Sequence, residues 1–167
     1  MVIIVEGIDR VGKTTLVNML HKATGFPVYK NNTEFKLENM DNENETDKMI
    51  KMLQICALGN VDIIFDRFHW TDTVYGCLQR GYLLNTALQN KDKIEGVLAE
   101  MKAVVCLVRP TDIVNSSKQH GCDLHRHSDL FNMLFNESQL DKIGCTFPTL
   151  KDVEKWVNLK INERKFK

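Results

Sequence analysis

The 167-residue sequence has no net charge: Lys and Arg together number 22, and so do Asp and Glu. Without a global field, nothing draws the whole chain to polymeric nucleic acid or to an anionic membrane, so any recognition of an anion has to be built locally. A long apolar run is also missing. The opening Met1-Val2-Ile3-Ile4-Val5 meets Glu6 after five residues with no basic segment before it, and it reads as a first strand, not a signal peptide or membrane span. Paired cysteine spacing is absent too. Five cysteines (Cys56, Cys77, Cys106, Cys122, Cys145), mostly inside apolar runs, are the pattern of reduced core thiols and predict a cytoplasmic setting. There is no internal repeat and no Pro- or Gly-rich linker, so at roughly 150 residues per domain the chain predicts a single domain over residues 1–167. Hydrophobic residues at 43% and charged residues at 26% suffice for a full core and exclude disorder as the main state.

One biased stretch, residues 39–47 (NMDNENETD), reads as a solvated loop. Short apolar runs bounded by turn residues predict buried strands at 2–5, 61–65, 103–108 and 143–147, with a fifth at 26–29. Between them the apolar positions take helical spacing: Leu16, Met19, Leu20 and Ala23; Met49, Met52, Leu53 and Cys56; Ile94, Val97, Leu98 and Met101. Ser128 is placed to cap a helix carrying Phe131, Leu134 and Phe135, and Thr149 with Asp152 resembles a capping box before Val153, Trp156 and Val157. Strands without polar alternation, separated by helices, predict a three-layer α/β fold: a parallel sheet of about five strands with helices on both faces. In such folds ligands sit at the carboxyl ends of the strands.

Directly after the first strand stands Gly7-Ile8-Asp9-Arg10-Val11-Gly12-Lys13-Thr14, a full G-x-x-x-x-G-K-T, followed by Thr15 and an apolar-periodic helix. Its glycines let the backbone curl so that successive N–H groups point inward, Lys13 reaches the β and γ phosphates, and Thr14 is suited to ligate Mg²⁺. Four fixed positions of this kind arise by chance in well under ~1% of chains this long, and more rarely still between a strand and a helix. The run at 61–65 closes on Asp66, as a carboxylate reaching the metal shell would require. Guanine-reading N-K-x-D is missing, Arg109-Pro110-Thr111-Asp112 stands in its place, and no D-x-x-G follows Asp66, which argues against a GTPase. A kinase acting on a 5′-hydroxyl needs a carboxylate base, whereas a monophosphate acceptor is already anionic and needs cations to hold it. Arg67, beside Asp66, is suited to a bidentate grip on such a phosphate.

These residues resemble a family. Glu6-Gly7-Ile8-Asp9-Arg10-Val11-Gly12-Lys13-Thr14-Thr15 looks like the loop of thymidylate kinases, in the eukaryotic and viral form that keeps Asp-Arg inside it. Asp66-Arg67-Phe68 is similar to the family's D-R-[YFH], Thr71 and Tyr75 fall where its next helix carries a hydroxyl residue and then an aromatic, and Thr33-Glu34 repeats its T-E. Looser likeness runs through Val108-Arg109-Pro110, His120-Gly121 and Phe147-Pro148-Thr149. The resemblance implies a (d)NMP kinase that moves the γ-phosphoryl of ATP to dTMP or a related deoxynucleotide. Gly7, Val11, Gly12, Lys13, Thr14 and Thr15 would hold ATP, and Thr14 and Asp66 would hold Mg²⁺. Asp9 would fix the sugar through its 3′-hydroxyl, Arg10 would lie between the phosphates as a cis arginine finger, and Arg67 would grip the acceptor phosphate. Thr71 and Tyr75 would line the nucleoside, and a short lid at 119–129, with Arg126 as a helper, would cover the adenine nucleotide. A homodimer is implied by the resemblance alone.

The chain also departs from the family. Where an arginine usually precedes the T-E by two residues stands Asn31, with Lys30 beside it and Lys36 further on, so the phosphate grip falls more heavily on Arg67. The base-reading helix normally shows Phe and Arg; residues 48–58 have neither, a helix there is shortened or missing, and Gln54 is the polar side chain suited to read a base edge. Two alternatives stay open. One is a deoxynucleoside kinase with Glu34 as base, although such enzymes usually carry Glu-Arg-Ser where this chain has Asp66-Arg67-Phe68; the other is a nucleotide-binding module without phosphoryl transfer. His120, Cys122, His125 and His127 crowd potential zinc ligands into eight residues, but structural zinc sites draw paired ligands from two separated stretches, so this segment reads as a polar lid. Trp70 and His69 read as packing and solvent residues.

Overall fold

The computed structural model describes residues 1–31, 42–120, 124–146 and 149–165. Its elements, in chain order, are β1 (Val2–Glu6), α1 (Lys13–Thr24), β2 (Val28–Lys30), α2 (Asn42–Leu58), β3 (Ile63–Asp66), α3 (His69–Gln79), α4 (Leu84–Glu100), β4 (Val104–Val108), α5 (Ile113–His120), α6 (His125–Glu137), β5 (Asp141–Cys145) and α7 (Leu150–Lys165). The strands form one parallel sheet in the order β2-β3-β1-β4-β5. β1 and β4 are buried along their whole length, which is why they read as unbroken apolar runs. Right-handed crossovers then dictate the layers. The β1-to-β2 crossing runs opposite to all later ones, so α1 and the terminal α7 pack together on one face, while α2, α3, α4 and α6 pack with one another on the other. The core between these layers is built on Ile3, Ile4, Leu16, Leu20, Leu53, Phe65, Trp70, Leu98 and Phe131. This is the expected three-layer α/β architecture with five parallel strands.

Several boundaries differ from the sequence pattern, each for a local reason. Residues 42–47 of the acidic stretch open α2 and do not extend a loop; Glu45, near its start, suits the positive end of a helix dipole. The third strand begins at Ile63, because the N–H of Val61 closes the end of α2 on the Cys56 carbonyl (2.9 Å). The last strand is shifted to Asp141–Cys145, and Phe147 lies outside the described residues. Ser128 does not cap α6. That helix starts at His125 behind the fully buried Leu124, and the Ser128 N–H is already spent on the Leu124 carbonyl (2.9 Å). The hydroxyl of Thr149 bonds the Thr146 carbonyl (3.1 Å) ahead of α7.

Cys56, Cys106 and Cys145 are buried thiols and Cys77 is half-buried, in keeping with core positions. Among the described residues no helix is long and apolar enough to cross a membrane.

Candidate active site

The loop after β1 owes its shape to three residues in left-handed backbone. The chain leaves the sheet at Gly7 (φ +139°), where any side chain would run into the carbonyl of Val108 on β4. Arg10 (φ +62°) and Gly12 (φ +97°) complete the curl. Ile8 and Val11 are buried and anchor the loop to the core from below. α1 then starts at Lys13 with no side-chain cap and no acidic residue in its first turn, so its first N–H groups and positive dipole end are left for an anion. Thr14 and Thr15 are exposed on that turn. Lys13 is folded inward, 5% exposed; its Nζ donates to the Ile8 carbonyl and lies 3.8 Å from Asp9 Oδ1. Burial, and then the nearby Arg67 charge, bring its pKa down to about 8, against the pull of Asp9 and Asp66. Because Gly7 has both a positive φ and no room for a Cβ, Gly7→Ala should cost about 2–4 kcal/mol of stability, read from the urea midpoint of the nucleotide-free chain.

The end of β3 faces this loop. Asp66 is 3% exposed and pairs in register with Val5, yet its Oδ1 has no hydrogen-bond partner. A buried carboxylate oxygen left bare is costly unless something binds it. Mg²⁺ fits that position: it takes one or two protein oxygens and completes its shell with phosphate and water, and Thr14 is the other candidate ligand. Arg67 follows in left-handed backbone (φ +70°) with its N–H on the Val5 carbonyl (3.0 Å), and its guanidinium donates to Asp9 Oδ1. The Tyr75 hydroxyl, from α3, donates to Asp9 Oδ2 (3.2 Å). Burial and the Asp9 charge push that hydroxyl's pKa far up, so it stays a donor. The Tyr75 ring packs on His127 and Phe131 of α6, at 5.0 and 6.5 Å between ring centres. Lys13, Arg67 and Tyr75, from α1, the end of β3 and α3, thus converge on the Asp9 carboxylate.

Other expected site residues stand differently. Lys30 ends β2 opposite Asp66 in register, exposed at the same end of the sheet. Arg10 is exposed on the loop. Arg126 is exposed on the first turn of α6, whose buried side carries His127 against Tyr75 and Gln79. Residues 125–129 of the expected lid are therefore helix. Thr71 corrects an expectation: it is 1% exposed and gives its hydroxyl to Glu6 Oε2, so it is spent within the protein and does not face a nucleoside. Gln54 is a second correction. It is exposed and lines a groove of about 510 Å³ with Met1, Asn60, Val61, Asp62 and Met101, at the amino-terminal end of the strands and across the sheet from Asp66. Arg109 is held within the fold by Asn132 (2.9 Å) and the face of Phe135 (4.6 Å). Glu34, Lys36, Cys122, Phe147 and Pro148 lie outside the described residues.

Glu6 is the residue that spacing alone does not reveal. Fully buried at the end of β1, it accepts the N–H groups of Phe68 (3.1 Å), Trp70 (3.0 Å) and Thr71 (3.2 Å) as well as the Thr71 hydroxyl. Burial pushes its pKa up, against His69 and the bonds from Thr71 and Phe68. One signal was present: a carboxylate directly continuing an apolar strand has nowhere to go but the interior. Behind it, the buried Trp70 donates its indole N–H to Glu95 of α4 (2.8 Å), which His69 (3.4 Å) and Lys91 (3.3 Å) also approach. Burial opposes the ionisation of Glu95, but the His69 and Trp70 bonds and the His69 and Lys91 charges outweigh it, and its pKa falls to about 2. His69 and Trp70 are thus both core residues.

No protein-family model matches the chain, and no curated protein matches it by sequence. Solved structures do match. YorR protein from Bacillus subtilis, in complex with phosphorylated GDP, superposes with a TM-score of 0.76 at 21% identity over 100% of this chain and 99% of that one. Thymidylate kinase from Ehrlichia chaffeensis gives 0.59 at 17% identity, covering 93% of this chain and 98% of that one. Deoxyadenosine kinase from M. mycoides, with the products dCMP and dCDP, gives 0.54 at 15% identity, covering 98% of this chain and 100% of that one. The chain shares its fold with these proteins along nearly its whole length.

Proposed function

We propose that the chain is a Mg²⁺-dependent deoxynucleoside monophosphate kinase, transferring the γ-phosphoryl of ATP to dTMP or a related dNMP to give the diphosphate. The observation that carries this reading is the convergence of Arg67, Tyr75 and Lys13 on Asp9, inside a phosphate loop and beside the bare oxygen of Asp66. A cation with a fixed fork next to a carboxylate suits an acceptor that brings its own phosphate and a sugar hydroxyl. Arg67 turns from Asp9 to that phosphate, Asp9 takes the sugar 3′-hydroxyl, and Lys13 swings from the Ile8 carbonyl to the donor phosphates. Gly7, Val11, Gly12, Thr14 and Thr15 shape the donor side, with Lys30 at the rim of the acceptor side and Arg126 as a helper. Thr14 and Asp66 hold Mg²⁺, which when bound neutralises charge on the donor phosphates. No protein base is needed, because a monophosphate oxygen is already ionised. Likeness of fold to a thymidylate kinase and to a deoxyadenosine kinase supports the class of chemistry, and the guanine nucleotide bound to YorR widens the acceptors worth offering. A homodimer belongs to the same reading and is measured by sedimentation velocity.

The test is a panel of dTMP, dCMP, dGMP, dAMP and thymidine, each with ATP and Mg²⁺, followed by ADP release and identification of the product. ADP and a deoxynucleoside diphosphate should form with at least one monophosphate and not with thymidine. Conversion of thymidine alone would replace this reading with a nucleoside kinase using Glu34, and silence across the panel would leave a nucleotide-binding module.

A further inference from the structure

We propose that Glu6 is a positioning residue that ties the phosphate loop to Arg67 and sets the aim of that arginine; this rests on the reading of Arg67 as the acceptor-phosphate grip. Glu6 is the last residue of β1 and directly precedes Gly7, so its backbone belongs to the donor side. Its side chain belongs to the other loop. Both carboxylate oxygens are filled by donors from the segment just after Asp66-Arg67: Oε1 by the N–H groups of Phe68 and Trp70, Oε2 by the N–H and hydroxyl of Thr71. Three of these partners are backbone N–H groups, which only an acceptor can satisfy, so both oxygens are committed to the segment after Arg67 although the side chain is fully buried.

Capping α3 would not require this arrangement. A Ser or Asp at position 68 would satisfy the first turn locally, yet Phe68 stands there and gives no side-chain cap. What the long-range carboxylate adds is control of residue 67. Arg67 sits in left-handed backbone, a conformation that a non-glycine residue keeps only when its surroundings impose it. It is held on both sides: its own N–H bonds the Val5 carbonyl, and the next N–H, that of Phe68, bonds Glu6. Released on the Glu6 side, the peptide relaxes toward negative φ and carries the guanidinium away from Asp9. Because Val5 and Glu6 are consecutive on β1, the strand that starts the phosphate loop also fixes where the acceptor arginine points.

Glu6→Gln tests this, since it keeps the shape but turns an NH₂ toward N–H donors. In the nucleotide-free chain, modification of each arginine by phenylglyoxal, followed by peptide mass spectrometry, should speed up at Arg67 by about fivefold or more, with Arg80 and Arg109, both engaged elsewhere, unchanged. The Kd of the accepted monophosphate should rise about tenfold or more while that of ADP moves less than about threefold, and in an Arg67→Ala background Glu6→Gln should add nothing further to the monophosphate Kd. Thr71→Val, which removes one donor, should give the same pattern at smaller amplitude, and it stands in if Glu6→Gln does not fold. Equal acceleration at all three arginines, or none at Arg67, overturns the inference. If the wild-type chain binds no monophosphate, the proposed function falls, while the arginine mapping still decides the role of Glu6.

Discussion

Arg10→Ala should fold, bind both nucleotides and turn over roughly 10³–10⁵-fold more slowly than the wild type, the range in which a transition-state arginine acts in phosphoryl transfer. Two other cations of the site are engaged: Lys13 lies on the Ile8 carbonyl and Arg67 on Asp9. Arg10 is exposed on the loop, in left-handed backbone that favours glycine. Stability alone would select glycine at that position. Arg10→Gly should therefore be at least as stable as the wild type, by up to about 1 kcal/mol in a urea melt, and as inactive as Arg10→Ala. An arginine that lowers stability in its position while supplying charge at the transition state is what the finger role requires. A purified Arg10→Ala enzyme with a kcat within about tenfold of the wild type would remove that role, because the loss expected of a finger is at least a hundred times larger.

How much of this was visible in the sequence depends on whether the physics was local. The phosphate loop was legible because each of its positions is constrained by its own backbone: Gly7 and Gly12 have positive φ, and an uncapped helix begins one residue later. β1 and β4 were legible because a strand buried on both faces has no polar alternation. Asp66 and Arg67 stood out because the run ended on a carboxylate, and in the structure Arg67 reaches Asp9 of the loop. What stayed hidden was the consumption of polar groups by partners far along the chain. The hydroxyl of Thr71 sits at the spacing of a nucleoside contact, but Glu6, 65 residues earlier, takes it. Gln54 has the right chemistry to read a base, but α2 carries it to the amino-terminal end of the sheet, and helical spacing gives the face of a side chain without saying which end of a strand lies beside it. Ser128 looked like a cap because it precedes an apolar stripe, yet burial of Leu124 sets the start of α6 one turn earlier.

Lys13→Met should abolish turnover and stabilise the nucleotide-free chain, two effects of opposite sign from one charge. The catalytic loss follows from removing the cation proposed for the donor phosphates, and ATP affinity should fall with it. The gain in stability follows from linkage. In the folded chain the pKa of Lys13 is about 8, below its ordinary value of 10.5, so between these two pH values the unfolded chain binds more protons than the folded one. Stability from this group therefore rises as pH climbs from about 8 toward 10.5, and below about 8 the folded state bears the full cost of a buried ammonium. Methionine keeps most of the volume and removes that cost, so at pH 7 the variant should gain on the order of 2 kcal/mol, with the lost bond to the Ile8 carbonyl subtracting from the larger figure that a pKa shift of this size implies. The advantage should shrink as pH is raised through 8 and beyond. The same group predicts that ATP binding to the wild type takes up a proton near pH 8.5, because donor phosphates restore the charge, and that the affinity for ATP declines above pH 8. Urea melts of both proteins at pH 7 and pH 9.5, and calorimetry of ATP binding in buffers of different ionisation enthalpy, read these effects separately. A Lys13→Met chain less stable than the wild type at pH 7 would mean that the lysine is a structural support of the empty loop and not a strained cation awaiting phosphate.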